Sequence, residues 1–161
     1  MAKQPVFKGV THICVVVRNL EEAMKLYWET YGIGPWKIYV FDSSTVSNMV
    51  IRDAPMDHAF RLAETTIGDF RWELIEPLDD RCVYAEFLKE HGEGLHHVGF
   101  ATDNYNEALG FVREKGIGVL QGGTWYGHTY AYLDSEGTLS FMAEISGPPD
   151  FEPPIPEATY P

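Results

Sequence analysis

The sequence predicts an α+β domain made of two copies of one βαβββ module. The first observation behind this prediction is an internal repeat. The apolar stretch at residues 11–17 carries His12, and the similar stretch at residues 95–101 carries His97. The downstream positions that match at the same spacing are Asn19 with Asn104, Glu22 with Glu107 and Ala23 with Ala108. Self-similarity at a fixed spacing indicates a duplicated structural unit.

The second observation concerns the far end of each copy. Residues 70–77 align with residues 141–148 so that Phe, Glu and Pro coincide, and Glu73 falls on Glu144. Both glutamates interrupt apolar strands, where an unpaired buried carboxylate is costly. Each copy therefore begins with a histidine-bearing strand and ends with a glutamate-bearing strand. Two histidines and two glutamates at repeat-related positions predict one shared metal site on a pseudo-twofold axis.

Length and composition fit one globular domain and exclude several classes of protein. The chain has 161 residues, of which 45% are hydrophobic and 14% aromatic, and its net charge is −12. Such a charge disfavours nucleic acid and anionic membrane surfaces as partners. No apolar stretch approaches the roughly 20 residues of a membrane-spanning helix. Residues 1–5 contain no apolar leader and the two cysteines form no disulfide framework, so we expect a cytoplasmic protein.

The first module is predicted over residues 8–77 and begins with the strand at residues 11–17. A helix follows, with Asn19 as its N-cap and Gly32 at its C-terminal end. Alternating polarity and turn residues predict the remaining segments. These are a strand at residues 36–41, a loop with some strand at 42–58, and a hairpin of residues 59–66 and 70–76.

The second module is predicted over residues 93–146, after a linker at residues 78–92 that contains a short amphipathic helix. Its predicted elements are a strand at residues 95–101, a helix at 105–115, a strand at 117–121, and a hairpin of residues 124–133 and 138–145. Six of the ten prolines fall within residues 147–161. This composition predicts an extended or polyproline-like tail that serves as a lid or as an arm on a neighbouring subunit.

The predicted metal ligands are His12, Glu73, His97 and Glu144. Two imidazoles and two carboxylates suit a divalent cation such as Zn, Ni, Co, Mn or Fe. Four protein ligands leave two positions of a six-coordinate ion open for two neighbouring substrate oxygens. The cation would polarise a carbonyl and stabilise an enediolate, while a carboxylate removes the proton α to that carbonyl. Glu144 is the first candidate for this base and Glu73 is the second.

The paired βαβββ modules resemble the vicinal oxygen chelate superfamily, which includes glyoxalase I, methylmalonyl-CoA epimerase, extradiol dioxygenases and bleomycin-resistance proteins. The segments ELIEPL at residues 73–78 and GEGLHHV at residues 92–98 are similar to the middle of the epimerases. The resemblance covers roughly residues 10–146. It implies a half-open mixed β-barrel around the metal site, and a divalent-metal-dependent epimerase or isomerase acting on a small carbonyl substrate. Residues 125–134 depart from the epimerase pattern, and no cluster of Lys and Arg is available for the phosphates of an acyl-CoA.

Three further residues are predicted to bind substrate. His128 and Tyr130 lie on a strand expected to line the pocket, and Arg61, in the hairpin that carries Glu73, is a candidate to hold a carboxylate. His96 is expected to point away from the site, because neighbouring residues of a strand face opposite sides.

Other functions stay open at this point. A glyoxalase I-like lyase is favoured by the glutamate at position 73, where some epimerases have glutamine. A small-molecule-binding protein of the resistance type is the other alternative, although such proteins often lack the four ligands. An iron dioxygenase is disfavoured because that class generally uses two histidines and one carboxylate. We expect the site to close within one chain, and an exposed strand edge in each module predicts a homodimer.

Overall fold

The computed structural model describes residues 5–161. Residues 1–4 lie outside this range, and they belong to the stretch that is expected to contain no leader. The strands are β1 (Phe7–Val16), β2 (Trp36–Phe41), β3 (Val46–Ile51), β4 (Ala54–Pro55), β5 (Phe60–Ile67), β6 (Phe70–Pro77), β7 (Gly94–Thr102), β8 (Val119–Trp125), β9 (His128–Leu133), β10 (Met142–Gly147) and β11 (Ala158–Tyr160). The helices are α1 (Leu20–Tyr31), α2 (Val83–His91), α3 (Tyr105–Arg113) and α4 (Glu136–Leu139).

The strands form one mixed sheet in the order β11-β2-β5-β6-β1-β7-β10-β9-β8-β3-β4. The central pair, β1 and β7, is antiparallel, while β1–β6 and β7–β10 are parallel pairs. The block β2-β5-β6-β1 is therefore mirrored by β8-β9-β10-β7 on the other side of the centre. This arrangement confirms the predicted α+β fold of two related modules.

The sheet curls so that its two arms face each other. The rings of Phe41 on β2 and Trp125 on β8 stack with centroids 4.4 Å apart, although these strands lie near opposite ends of the strand order. No hydrogen-bonded pairing joins the two outermost strands within residues 5–161, so the barrel stays half-open. The space between the arms is where a ligand could enter.

Both helices that follow a first strand are capped as their sequence predicts. The side chain of Asn19 accepts a hydrogen bond from the backbone N–H of Glu22, and Gly32 ends α1 in the left-handed conformation with φ of 66°. Asn104 accepts from the backbone N–H groups of Asn106 and Glu107 at the start of α3. These side chains satisfy backbone donors that have no partner inside the helix.

The sheet also contains pairings that the sequence did not predict. Strand β3 leaves the first module and pairs with β8 of the second, and β11 at the end of the tail pairs with β2 of the first. These pairings extend the edge of each module within the chain, so the free edges of the sheet are β11 and β4. The homodimer stays a prediction. The predicted hairpin strand at residues 124–133 is also divided, because β8 ends at Trp125 and the chain turns at Tyr126 and Gly127 with positive φ.

No helix among residues 5–161 is long and apolar enough to cross a membrane.

Candidate metal centre and active-site cavity

The register of the central strands brings the predicted ligands together. His12 on β1 lies between Arg71 on β6 and Gly99 on β7, and Gly99 is paired in turn with Glu144 on β10. Two residues along the strands, a second row has the order Glu73, Cys14, His97, Met142. The two rows run in opposite directions, as the pseudo-twofold relation between the modules requires.

The four predicted ligands converge in the interior. Nε2 of His12 and Nε2 of His97 each lie 3.0 Å from the same atom, Oε2 of Glu144. Oε2 of Glu73 lies 3.6 Å from Nε2 of His12 and 3.8 Å from Nε2 of His97. All four residues are buried. One ligand atom from each of His12, Glu73 and His97 falls within 4.8 Å of the others, as in a group that could hold a metal ion.

Gly99 provides the space for one of the imidazoles. A Cβ built on Gly99 would lie 2.1 Å from Cε1 of His12 and 2.3 Å from its Nδ1. No side chain larger than hydrogen fits at this position while His12 keeps its place. The site therefore requires a glycine at position 99 of β7.

Burial and charge act against each other on the two carboxyl groups. Burial alone would raise the pKa of Glu144, but the neighbouring imidazoles of His12 and His97 lower it well below its usual range. Burial would likewise raise the pKa of Glu73, but the nearby imidazole of His12, the guanidinium of Arg71 and the imidazole of His97 lower it. Both groups are thus anionic at neutral pH in this environment.

Polar groups outside the quartet contact the far side of each imidazole. Nδ1 of His12 lies 2.9 Å from Nη2 of Arg71 and 3.0 Å from Oγ1 of Thr11. Nδ1 of His97 lies 2.9 Å from Nδ1 of His96. The Thr11 hydroxyl and Nδ1 of His96 can each accept a proton from Nδ1 of the neighbouring imidazole, which fixes the orientation and tautomer of a ligating histidine.

Sequence reasoning missed the roles of His96 and Arg71. His96 was expected to point away from the site, yet its ring is buried and contacts the ring of His97. Strand alternation could have indicated Arg71, because it is two residues before Glu73 on β6 and so shares its face. No signal in the sequence shows that two adjacent histidines would bring their Nδ1 atoms together.

The residues present fit a divalent cation. Two imidazole nitrogens and two carboxylates face one another inside the protein, a donor set suited to first-row divalent metals. Nε2 of His97 is buried and makes no hydrogen bond of normal geometry, although Glu144 is 3.0 Å away. A buried nitrogen that has no hydrogen bond and lies beside two carboxylates fits a cation-binding site.

A cavity of about 80 Å³ lies between the arms of the sheet, and the two glutamates of the quartet line it. Its aromatic wall consists of Tyr39, Phe41, Phe60, Trp125, Tyr130 and Tyr132. Its ionisable groups are Glu64, Arg71, Glu73, His128 and Glu144. Phe151 and Pro153 of the tail complete the lining, and the ring of Phe151 stacks on His128 at 4.5 Å. The tail therefore covers part of the cavity in its own chain.

The predicted substrate-binding residues divide between the two faces of the sheet. His128 and Tyr130 line the cavity, and both Nδ1 of His128 and the Tyr130 hydroxyl are buried without a hydrogen-bond partner among residues 5–161. Arg61 lies on the opposite face of β5, where it forms ion pairs with Glu21 and Glu76. This placement argues against the predicted role of Arg61 in substrate binding.

Comparison with known proteins agrees with this architecture. Residues 11–132 match the family model of the glyoxalase/bleomycin resistance protein/dioxygenase superfamily. The chain belongs to this superfamily. Among solved structures, a methylmalonyl-CoA epimerase in complex with methylmalonyl-CoA and NH4+ superposes on this chain with a TM-score of 0.66 at 21% identity. The match covers 92% of this chain and 99% of that chain, and at this identity it shows the shared fold.

Curated superfamily relatives include epimerases. The mitochondrial methylmalonyl-CoA epimerase of Bos taurus is 28% identical over 113 residues, which are 69% of this chain and 56% of that protein. The chain thus spans just over half the length of this relative. The uncharacterized protein YqjC of Bacillus subtilis is 23% identical over 142 residues, which are 85% of this chain and 90% of that protein.

Proposed function

We propose that the protein is a divalent-metal-dependent epimerase or isomerase that removes the proton α to a carbonyl group. The observation that carries this proposal is the buried convergence of His12, Glu73, His97 and Glu144, whose two glutamates line a cavity. The match to methylmalonyl-CoA epimerases supports the same class of reaction.

The quartet would hold the cation. Nε2 of each histidine and a carboxylate oxygen of each glutamate are the ligand atoms. When bound, such a cation acts as a Lewis acid that polarises a carbonyl oxygen and so acidifies the adjacent C–H bond. The aromatic wall excludes water from the same space, which strengthens the interactions of the charged groups with a bound substrate.

Glu144 is the proposed base. Its polar contacts within residues 5–161 are with the two histidines, and its carboxylate lines the cavity. Glu73 is the second candidate, but its Oε1 is engaged with Nε of Arg71 at 3.1 Å. Glu144 has no guanidinium partner within residues 5–161, so its Oε1 carries no ion pair there. Return of the proton to the other face gives epimerisation, and return to the neighbouring carbon gives isomerisation.

His128 and Tyr130 would contact the substrate opposite the glutamates. Burial lowers the pKa of His128, so its imidazole is neutral in the cavity at pH 7. Burial raises the pKa of Tyr130, so its hydroxyl keeps its proton and can donate a hydrogen bond to a substrate oxygen. These two groups orient a carbonyl compound without adding charge.

Metal content is the first test. We expect the purified protein to hold close to one divalent ion, and the double variant His12→Ala/His97→Ala to hold none. The exposed His91→Ala is the matched control and should keep the ion. Absence of metal in the wild type, with no uptake of Zn, Ni, Co, Mn or Fe, would contradict the proposal and favour a small-molecule-binding protein.

Proton exchange tests the reaction itself. We expect the metal-loaded protein to exchange the α-proton of carbonyl acids and acyl-CoA thioesters into D2O. Glu144→Gln should lower this exchange by a factor of about 10² to 10⁴ while the metal is retained. Full turnover in Glu144→Gln would exclude it as the base. Formation of a new bond to a thiol, rather than simple exchange, would identify a glyoxalase I-like lyase.

A further inference from the structure

Arg71 is a positively charged residue in a cavity lined mainly by aromatic rings and carboxylates. It is the sole Lys or Arg among the described residues that line the cavity, which also contains Glu64, Glu73 and Glu144. Its side chain is 42% exposed, although its Nε is buried. The proposed reaction as stated above gives this residue no part.

Arg71 also breaks the pseudo-twofold symmetry of the site. The relation that exchanges His12 with His97 and Glu144 with Glu73 places Arg71 opposite Met142 in the two rows of paired residues. The metal-binding quartet therefore has two equivalent sides, but one side alone carries a positive charge. A substrate with a single anionic group would be bound in one orientation.

The guanidinium of Arg71 is held in place, but some of its N–H donors have no hydrogen-bond partner among residues 5–161. Its Nε lies 3.1 Å from Oε1 of Glu73 without the geometry of a hydrogen bond, and 3.7 Å from Oε2 of Glu64. Nη2 donates to Nδ1 of His12 at 2.9 Å, while Nη1 makes no hydrogen bond within residues 5–161. Since a guanidinium has five N–H donors in a planar fork, donors are available for a carboxylate in the cavity.

The contact between Nη2 of Arg71 and Nδ1 of His12 requires that this Nδ1 carries no proton. A neutral imidazole that binds a cation through Nε2 carries its proton on Nδ1. Arg71 has no acceptor atom, so it cannot stay hydrogen-bonded to a protonated Nδ1, whereas the hydroxyl of Thr11 at 3.0 Å can accept that proton. Binding of a cation at the quartet would thus release Nη2 of Arg71 toward the cavity.

We propose that Arg71 binds the carboxylate of the substrate and selects carbonyl compounds that carry a carboxylate next to the reacting carbon. This inference rests on the proposed function, since it assigns the substrate class of the same site. The paired N–H groups of arginine match a carboxylate in a bidentate manner. The substrate then lies with its acid group at the first module and its α-carbon toward Glu144.

The same reasoning limits the substrate to a small anionic head group. No other Lys or Arg lines the cavity among residues 5–161, and the chain carries a net charge of −12. A guanidinium that already faces Glu64 and Glu73 has N–H donors for one further carboxylate at most. The recognised unit is accordingly the acid, and any larger group attached to it extends beyond the cavity.

A matched pair of probes tests this assignment. The first is the N-acetylcysteamine thioester of methylmalonic acid, and the second is the methyl ester of the same compound, which lacks the charge. In the metal-loaded wild type we expect α-proton exchange of the acid to exceed that of the ester. Arg71→Gln should lower kcat/KM for the acid on the order of 10- to 100-fold and change that for the ester by less than about threefold.

Control variants separate substrate binding from positioning of the ligands. Arg71→Lys keeps a point charge and should restore part of the preference for the acid. Lys37→Gln removes a cation from β2 that does not line the cavity, so it should leave the preference unchanged. Metal content is measured for each variant. An equal loss of exchange for acid and ester in Arg71→Gln would show that Arg71 acts through Glu73 or His12, which overturns the proposal.

Calorimetry gives a second measurement that does not depend on turnover. The metal-loaded wild type should bind the acid probe more tightly than the ester, and Arg71→Gln should bind both alike. Unchanged preference in Arg71→Gln overturns the assignment. If the wild type exchanges the α-proton of neither probe, the proposed reaction fails, and the calorimetric preference alone decides whether Arg71 is the carboxylate-binding residue.

Discussion

Nε2 of His12 lies 3.0 Å from Oε2 of Glu144, although the two residues are 132 positions apart in the sequence. The contact crosses from the first strand of one module to the last strand of the other. Gly99 lies between them in the sheet register. The distance therefore depends on the pairing of β1, β7 and β10, and a change at Gly99 tests that dependence directly.

Gly99→Ala should displace His12 and weaken the metal site. The added methyl group would lie 2.1 Å from an imidazole carbon, so the ring or the strand must move. Overpacking of this kind costs about 1–3 kcal/mol of stability. We expect a lower midpoint of thermal unfolding and less bound metal. Gly94→Ala on the same strand is the control, because its Cβ meets no atom within 4 Å. Equal behaviour of the two variants would show that His12 does not depend on this space.

His96→Phe should weaken metal binding without removing a ligand. A neutral His97 that coordinates through Nε2 must donate from Nδ1, and Nδ1 of His96 at 2.9 Å is the acceptor. Loss of such an outer partner typically lowers metal affinity about 10- to 100-fold. Competition with a chelator measures the affinity, and ¹⁵N spectra of the histidines report the tautomer. An unchanged affinity and tautomer in His96→Phe would refute this role.

Stability should fall with pH in the range where His58 takes up a proton. Burial lowers the pKa of His58 below its ordinary value of 6.5. The unfolded chain thus binds this proton at a higher pH than the folded protein does, and the free energy of unfolding decreases as the pH falls below about 6.5. Chemical denaturation at several pH values between 8 and 5 measures the loss.

The variant His58→Phe isolates this contribution. The phenyl ring can keep the stacking on Phe60, whose centroid is 6.2 Å from that of the imidazole. Its free energy of unfolding should decrease less than that of the wild type over the same pH range. Some loss should persist, because the pKa values of His96 and His128 are also lowered by burial. Identical pH profiles would show that His58 is not the group concerned.

Phe151→Ala should open the cavity to solvent. The ring of Phe151 packs on His128 and on Trp125, whose indole is buried. Removing it should increase acrylamide quenching of Trp125 fluorescence, measured as the difference from the same variant in a Trp125→Phe background. Ile155→Ala is the control in the same tail, since Ile155 is 92% exposed. Equal quenching in the wild type and in Phe151→Ala would contradict a covering role for the tail.

The internal repeat accounts for what the sequence could predict. A duplicated module places the first strands next to each other by symmetry, so one histidine and one glutamate per copy already define a shared centre. The helix caps at Asn19 and Asn104 are local signals and were equally readable. These features depend on short-range patterns or on the repeat itself.

Register and chain crossing account for what the sequence did not predict. Glu64 is paired with Glu73 between β5 and β6, so these residues share a face and Arg61, three residues from Glu64, points to the other side. Only the exact hairpin register decides this, and a shift of one residue would reverse it. The pairing of β3 with β8 joins residues from different modules, and no local pattern specifies such a partner.

The exchange of strands between the modules restricts how the cavity can open. The first half of the chain supplies β3 to the edge of the second module, and the tail supplies β11 to the edge of the first. A hinge motion that parted the modules would have to break backbone pairing at both rims as well as along β1 and β7. The connection between β10 and β11, which carries Phe151 and Pro153, has no such pairing along most of its length. This ten-residue connection is thus the part of the cavity wall that could shift without breaking the pairing between the modules.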